Sequence, residues 1–177
     1  MMVAMPADSP IFILGPRECM TAAYANRADV LAADIPAGGT VTARAVARLY
    51  AARLGDVDGI RLISPERLSE VSAVAMTGPD QVFGFPTSWG LGYAIDEFIS
   101  KTRTAFGVGG VGGSHAFADT ATGIAFALTK TRLTPTFDTT QRVAAVVTQA
   151  AGGRRQGIDA LPSPAHRAGD PLGGGRG

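Results

Sequence analysis

The residue types able to do chemistry gather in one stretch, Gly107-Val108-Gly109-Gly110-Val111-Gly112-Gly113-Ser114-His115. Five of the seven residues from 107 to 113 are glycine. Glycine loses more chain entropy on folding than any other residue, so this density marks a place where backbone must approach something closely or take a positive φ. Ser114 beside His115 offers a nucleophile and a base by type, but neighbours on a strand point to opposite faces and cannot share a proton. The expected roles are a hydroxyl satisfying a loop amide and a histidine on a solvated strand face. Gly107 to Gly112 also spell G-x-G-x-x-G, the phosphate loop of dinucleotide domains, where a strand turns into a helix. Here residues 114–119 alternate as a strand and no βαβ unit can be drawn, so the spacing follows from glycine density and no nucleotide cofactor is expected. Cys19 is the sole cysteine. That excludes an intramolecular disulfide and a cysteine-built metal site, and the thiol reads as a small buried hydrophobe. Neither a metal nor any other cofactor is expected, and His166 is read as inert.

The elements that must hold this segment are legible in part. Residues 1–40 are weakly patterned, with Pro6, Pro10, Pro16 and Pro36 interrupting pieces such as Ile11-Phe12-Ile13-Leu14, and one short helix is expected over 17–25. Thr42 opens a helix whose Val46, Leu49, Tyr50 and Leu54 form one buried stripe, with Arg44, Arg48 and Arg53 toward water and Gly55 just past its end. Asp56 to Gly59 reads as a turn and 60–63 as a short extended piece. Ser64-Pro65-Glu66 supplies a cap, a first-position proline and a first-turn acid for a second helix to about residue 75. Residues 77–88 are expected to be loop, 89–95 a strand, and 106–108 the end of another. Residues 114–118 and 124–130 form a hairpin around Asp119-Thr120-Ala121-Thr122-Gly123. Asp138 caps a last helix with Gln141 three residues on, its Val143, Val146, Val147 and Ala150 on one face. From 152 to 177, proline, glycine and charge predominate and a disordered tail is expected.

With 177 residues, 46% of them hydrophobic, the chain has material for one cored domain. The expected organisation is a weakly ordered segment 1–40, a domain 41–151 and the tail 152–177. Sixteen Lys and Arg against fifteen Asp and Glu, with no basic block among aromatics, argue against nucleic acid. No basic leader opens the sequence, and every apolar run ends before the ~18 residues that span a bilayer. A cytoplasmic protein without a membrane span is expected.

Four blocks in order then resemble the carboxy-terminal part of the serine β-lactamase-like family, the group of class C β-lactamases and family VIII esterases, including actinobacterial lipases. They are Thr42-Ala43-Arg44-Ala45-Val46-Ala47-Arg48-Leu49-Tyr50-Ala51-Ala52, Asp58-Gly59-Ile60-Arg61-Leu62-Ile63-Ser64-Pro65-Glu66, Trp89-Gly90-Leu91-Gly92-Tyr93, and Phe106 through Ser114. The resemblance runs from about residue 15 to 152. It implies an α/β fold of the α+β type, an antiparallel sheet flanked by helices, as part of a β-lactamase/transpeptidase-like domain. It further implies that the glycine strand walls a substrate site, with Val108-Gly109-Gly110 where relatives carry Lys-Thr-Gly or His-x-Gly. Two departures stand out. Valine at 108 brings neither a proton nor a hydrogen bond. The family's Ser-x-x-Lys is absent, since the residues three before Lys101 and Lys130, the only lysines, are Phe98 and Ala127. Tyr24-Ala25-Asn26 matches the family's Tyr-x-Asn by chance, being too near the helix at Thr42. The resemblance therefore implies a serine hydrolase segment without its nucleophile and inactive alone. Implied partners are a small ester or lactam substrate, and a complementary amino-terminal half or self-association. The alternative is a non-catalytic binding module that uses an exposed sheet edge.

Overall fold

The computed structural model describes residues 17–33, 41–82, 84–95, 102–110, 112–132, 134 and 136–159. A six-stranded sheet runs through it in chain order, each strand antiparallel to the next. Its strands are β1 (Met76–Pro79), β2 (Pro86–Trp89), β3 (Ala94–Ile95), β4 (Ala105–Gly109), β5 (His115–Asp119) and β6 (Ala125–Leu128). Before the sheet come a 3-10 turn at Arg17–Met20 and helices α1 (Ala22–Ala25), α2 (Ala28–Leu31), α3 (Ala43–Leu54) and α4 (Pro65–Ser72); α5 (Asp138–Asp159) follows it.

Side chains of a strand alternate between faces, and that alternation divides the core in two. On one face Phe106, Ala116, Ala118 and Ile95 pack with Tyr50 of α3, flanked by Val46, Leu54, Leu68, Tyr93, Ala125 and Ala127. On the other, Ala105, Phe117 and Phe126 pack with Ala144 of α5, flanked by Ile124, Leu128 and Phe137. Strand β5, next to the β6 edge, is buried along its whole length. Asp119 at its end is 1% exposed, yet its carboxylate is fully engaged. It accepts from Thr104 Oγ1 at 2.6 Å, Thr122 Oγ1 at 2.8 Å and the Ala121 amide at 3.0 Å, which pins the β5–β6 turn.

Cap chemistry holds where expected. Thr42 Oγ1 accepts from the Ala45 amide and Ser64 Oγ from the Arg67 amide, each relieving a helix start. Gly55 ends α3 with an extended backbone, φ −164°, and α4 stops at Ser72, short of residue 75. The turn at Asp58 and Gly59 is left-handed at both, with φ of 54° and 79°. Across that turn Val57 and Ile60 form an isolated antiparallel bridge.

Several expectations are corrected. Residues 77–88 are a hairpin rather than a loop, with Thr77 opposite Ser88 and Pro79 opposite Pro86. Asp80 N donates to Phe85 O one step further on, so the two prolines face each other at a non-bonded position and forfeit no ladder bond. The strand expected over 89–95 is broken: Gly92, at φ +83°, turns the chain between Trp89 and Ala94, and Gly90 N donates to Tyr93 O. Leu49 is exposed and Arg53 is half-buried, the reverse of the expected assignment. Helix α5 begins one residue earlier than expected, since Phe137 O accepts from Gln141 N, and it runs on to Asp159, past the boundary at 152. Its inward residues are Thr140 and Ala144. Val143, Val146 and Val147 are 39%, 67% and 37% exposed. The pieces around Ile11 and His166 lie outside the described residues, and the expected short helix over 17–25 is a 3-10 turn followed by α1.

Candidate functional site

Gly107, Val108 and Gly109 lie at the end of β4, paired with Phe117, Ala116 and His115 of β5. Gly110 N donates to Ser114 O at 2.9 Å. In an antiparallel ladder successive residues turn their N–H and C=O alternately to the two sides, so residues 108 and 110 address β5 while 107 and 109 address β3. Gly107 meets Ala94 there. Gly109 does not, because β3 starts at Ala94 and the preceding residues have turned away through Gly90 to Tyr93. Among the described residues, the amide and carbonyl of Gly109 therefore lie on a free backbone edge. An extended acyl or peptide-like group can hydrogen-bond to such an edge as an added strand does.

The side chains around this edge differ by face. Val108, 50% exposed, lies on the α3 face, and Leu91 in the adjoining turn is exposed as well. Below Val108 on that face, the Tyr93 ring meets Phe106 edge-on at 5.2 Å and Tyr50 at 6.2 Å, with the Arg53 guanidinium over both tyrosines at 5.2 and 5.6 Å. On the α5 face Gly109 has no room for a side chain: a Cβ there would stand 2.7 Å from both His115 Nδ1 and Phe137 Cε1. The edge is thus rimmed by Val108 and Leu91 on one face, near the Tyr50, Tyr93 and Arg53 cluster, and closed on the other. The Tyr50, Tyr93 and Arg53 cluster was not expected from the sequence, although the paired glycines at 90 and 92 signalled the turn that presents Tyr93.

Other chemistry-bearing residues do not join this edge. Ser114 Oγ accepts from the Lys130 amide at 3.1 Å, the structural role expected of it. His115 is buried, 9% exposed, its ring near those of Phe117 and Phe137, so it is not on a solvated face. The Lys130 ammonium donates to Thr134 Oγ1. Tyr24 sits on short α1, and the Cys19 thiol beside it, as chief cause, raises the phenol above its ordinary value. Asn26 ends α1 by donating its amide to Ala22 O at 2.7 Å, a capping role. Among the described residues no cluster of His, Cys, Asp and Glu is suited to a metal ion, and no helix is long and apolar enough to cross a membrane.

An antiparallel sheet with helices on both faces and a glycine edge open beside its centre defines an α+β domain of the β-lactamase/transpeptidase type. The profile of the family described as Beta-lactamase matches residues 13–151, and the chain belongs to that family. It is 40% identical over 116 residues to the Esterase/beta-lactamase LipL of Mycobacterium tuberculosis, a match covering 63% of this chain and 27% of LipL. Among solved structures, a penicillin-binding protein homologue from Caulobacter crescentus matches with a TM-score of 0.56 and 33% identity over 61% of this chain and 32% of its own. EstA from Arthrobacter nitroguajacolicus Rue61a matches with a TM-score of 0.57 and 24% identity over 64% and 33%, which shows the fold. The chain thus spans between about a quarter and a third of the length of these relatives.

Proposed function

We propose that this chain is the carboxy-terminal segment of a serine hydrolase of the esterase or β-lactamase type, and that it retains a substrate wall at Val108, Gly109 and Gly110 without the groups that attack. The free backbone edge at Gly109 carries the reading, because a bare edge beside an apolar rim suits an acyl group held by main-chain hydrogen bonds. Similarity to LipL, whose name joins esterase and β-lactamase, supports an ester or lactam as the substrate class. Acylation requires a nucleophile beside a base. Neither lysine has a serine three residues before it, so these residues supply binding and no attack.

The test is direct. The purified chain, incubated with nitrocefin and with p-nitrophenyl acetate, is expected to show no turnover above the buffer rate. Turnover that survives further purification and that Val108→Glu abolishes would place a nucleophile within these 177 residues and overturn the inactive reading.

A further inference from the structure

The glycines that make the wall bare also leave it little to hold itself in place, because glycine backbone is freer than any other. The turn beyond Gly109 folds back on itself: Gly110 N donates to Ser114 O at 2.9 Å and Gly113 N to Gly110 O at 3.1 Å. Gly112 and Gly113 are buried and take positive φ, +114° and +88°. Among the described residues, the hydrogen bonds that reach this turn from elsewhere come from residues 130 to 140. The Lys130 amide donates to Ser114 Oγ at 3.1 Å, the Thr134 amide to Gly112 O at 3.1 Å, and Thr140 Oγ1 to Gly113 O.

Thr140 is out of keeping with its surroundings. It is 0% exposed on the inward side of α5, where Ala144 packs with Ala105, Phe117 and Phe126 and where a valine would fill the same space. A buried hydroxyl costs free energy unless it is bonded. Thr148, further along the helix, donates to Ala144 O one turn back at 2.9 Å, the usual local bond of a helical threonine. The Thr140 hydroxyl instead reaches a carbonyl 27 residues away in the chain.

The geometry points to Thr140 as a positioning residue for the glycine wall: through Gly113 and Gly110 its hydroxyl fixes where the Gly109 edge lies. This rests on the reading of Gly109 as a substrate wall. Without the hydroxyl, the buried Gly113 carbonyl loses that donor, which drives the turn to open toward another. Gly110 is bonded to Gly113 on one side and to Ser114 on the other, so it moves with the turn.

The test compares the full chain with Thr140→Val, Thr140→Ser and, as a control on the same helix, Thr148→Val. Amide exchange read by NMR reports order residue by residue, and nitrocefin titration followed at the Gly109 and Gly110 amides reports the wall. Thr140→Val is expected to speed exchange at Gly110 and Gly113 about tenfold or more. It is also expected to weaken nitrocefin about fivefold or more, while residues 115–119 and 125–128 keep the parent's protection. Thr140→Ser and Thr148→Val should match the parent in both. A Thr140→Val variant whose protection falls evenly over the sheet, as for a residue that only adds stability, or a Thr140→Ser variant that behaves like Thr140→Val, would overturn the proposal. The parent gives a second measurement that needs no variant: in mild urea the amides of Gly110, Gly113 and Thr134 should open together below the global transition, and separate openings would also overturn it. Nitrocefin that shifts neither Gly109 nor Gly110 in the parent refutes the wall reading, and exchange at Gly110 and Gly113 then decides by itself whether Thr140 holds the turn.

Discussion

Replacing Gly107 by alanine separates the glycines that the fold needs from those that leave an edge bare. A Cβ at 107 would stand 2.1 Å from Ala116 O, 2.7 Å from Phe117 Cα and 2.8 Å from Phe117 Cβ, against the 3.4 Å at which ordinary contact begins. Two of these are backbone atoms of β5, which is buried throughout and cannot swing aside. The strands must instead part by more than about 1 Å, which overpacks the core and stretches ladder bonds on either side, together costing about 3 kcal/mol. For a chain of this size that is a fall in Tm of roughly 6–12 °C. Gly110 is the internal comparison. Its added Cβ would meet nothing nearer than 4.0 Å, at Ser114 O, so Gly110→Ala should shift stability by less than about 0.5 kcal/mol. Thermal and urea melts of both variants, followed by circular dichroism, decide the matter. A Gly107→Ala melt within about 2 °C of the parent, or a Gly110→Ala melt that falls equally far, would refute the assignment of Gly107 to packing.

Asp119→Ala removes the buried acceptor of three donors around the β5–β6 turn and should destabilise by about 3 kcal/mol in urea with an unchanged m-value; a loss under about 1 kcal/mol would show that the turn holds without it. Glu66 is held below the ordinary carboxylate range, chiefly by a hydrogen bond from Ser64 at the start of α4. Its stabilisation is therefore present above the unfolded-state pKa and lost as pH falls through the lowered folded value. The Tm difference between the parent and Glu66→Gln should narrow as pH falls from about 7 to about 3, and a difference that grows instead would reverse the sign of that linkage.

What the sequence disclosed follows from where local chemistry prevails. Thr42 and Ser64 cap their helices through their own hydroxyls, Asp58-Gly59 turns through left-handed backbone, and the β5–β6 hairpin shows its alternation, so each is readable within a few residues. The β1–β2 hairpin was hidden because Gly78, Pro79 and Pro86 are strand breakers taken singly, and they are tolerated only because the prolines pair at a non-bonded position, a matter of register between distant residues. Trp89 to Ile95 reads as one strand because aromatic and β-branched residues alternate with small ones, yet Gly92, at φ +83°, breaks it. The valines of α5 posed a subtler difficulty. Periodicity marks an apolar flank but not which element covers it, and here the sheet takes Thr140 and Ala144 instead.

On the proposed reading the glycine wall and the outer side of β6 occupy separate parts of the sheet. Gly109 opens toward β3, whereas the free edge of β6 lies two strands away, beyond β5. Val108 gives that wall no proton to donate or accept, so on this reading any attacking group must come from across the edge. On the proposed reading, restoring a lysine or histidine at 108 in the isolated chain would improve the wall's chemistry and still produce no hydrolysis, because positioning without a nucleophile lowers no acylation barrier.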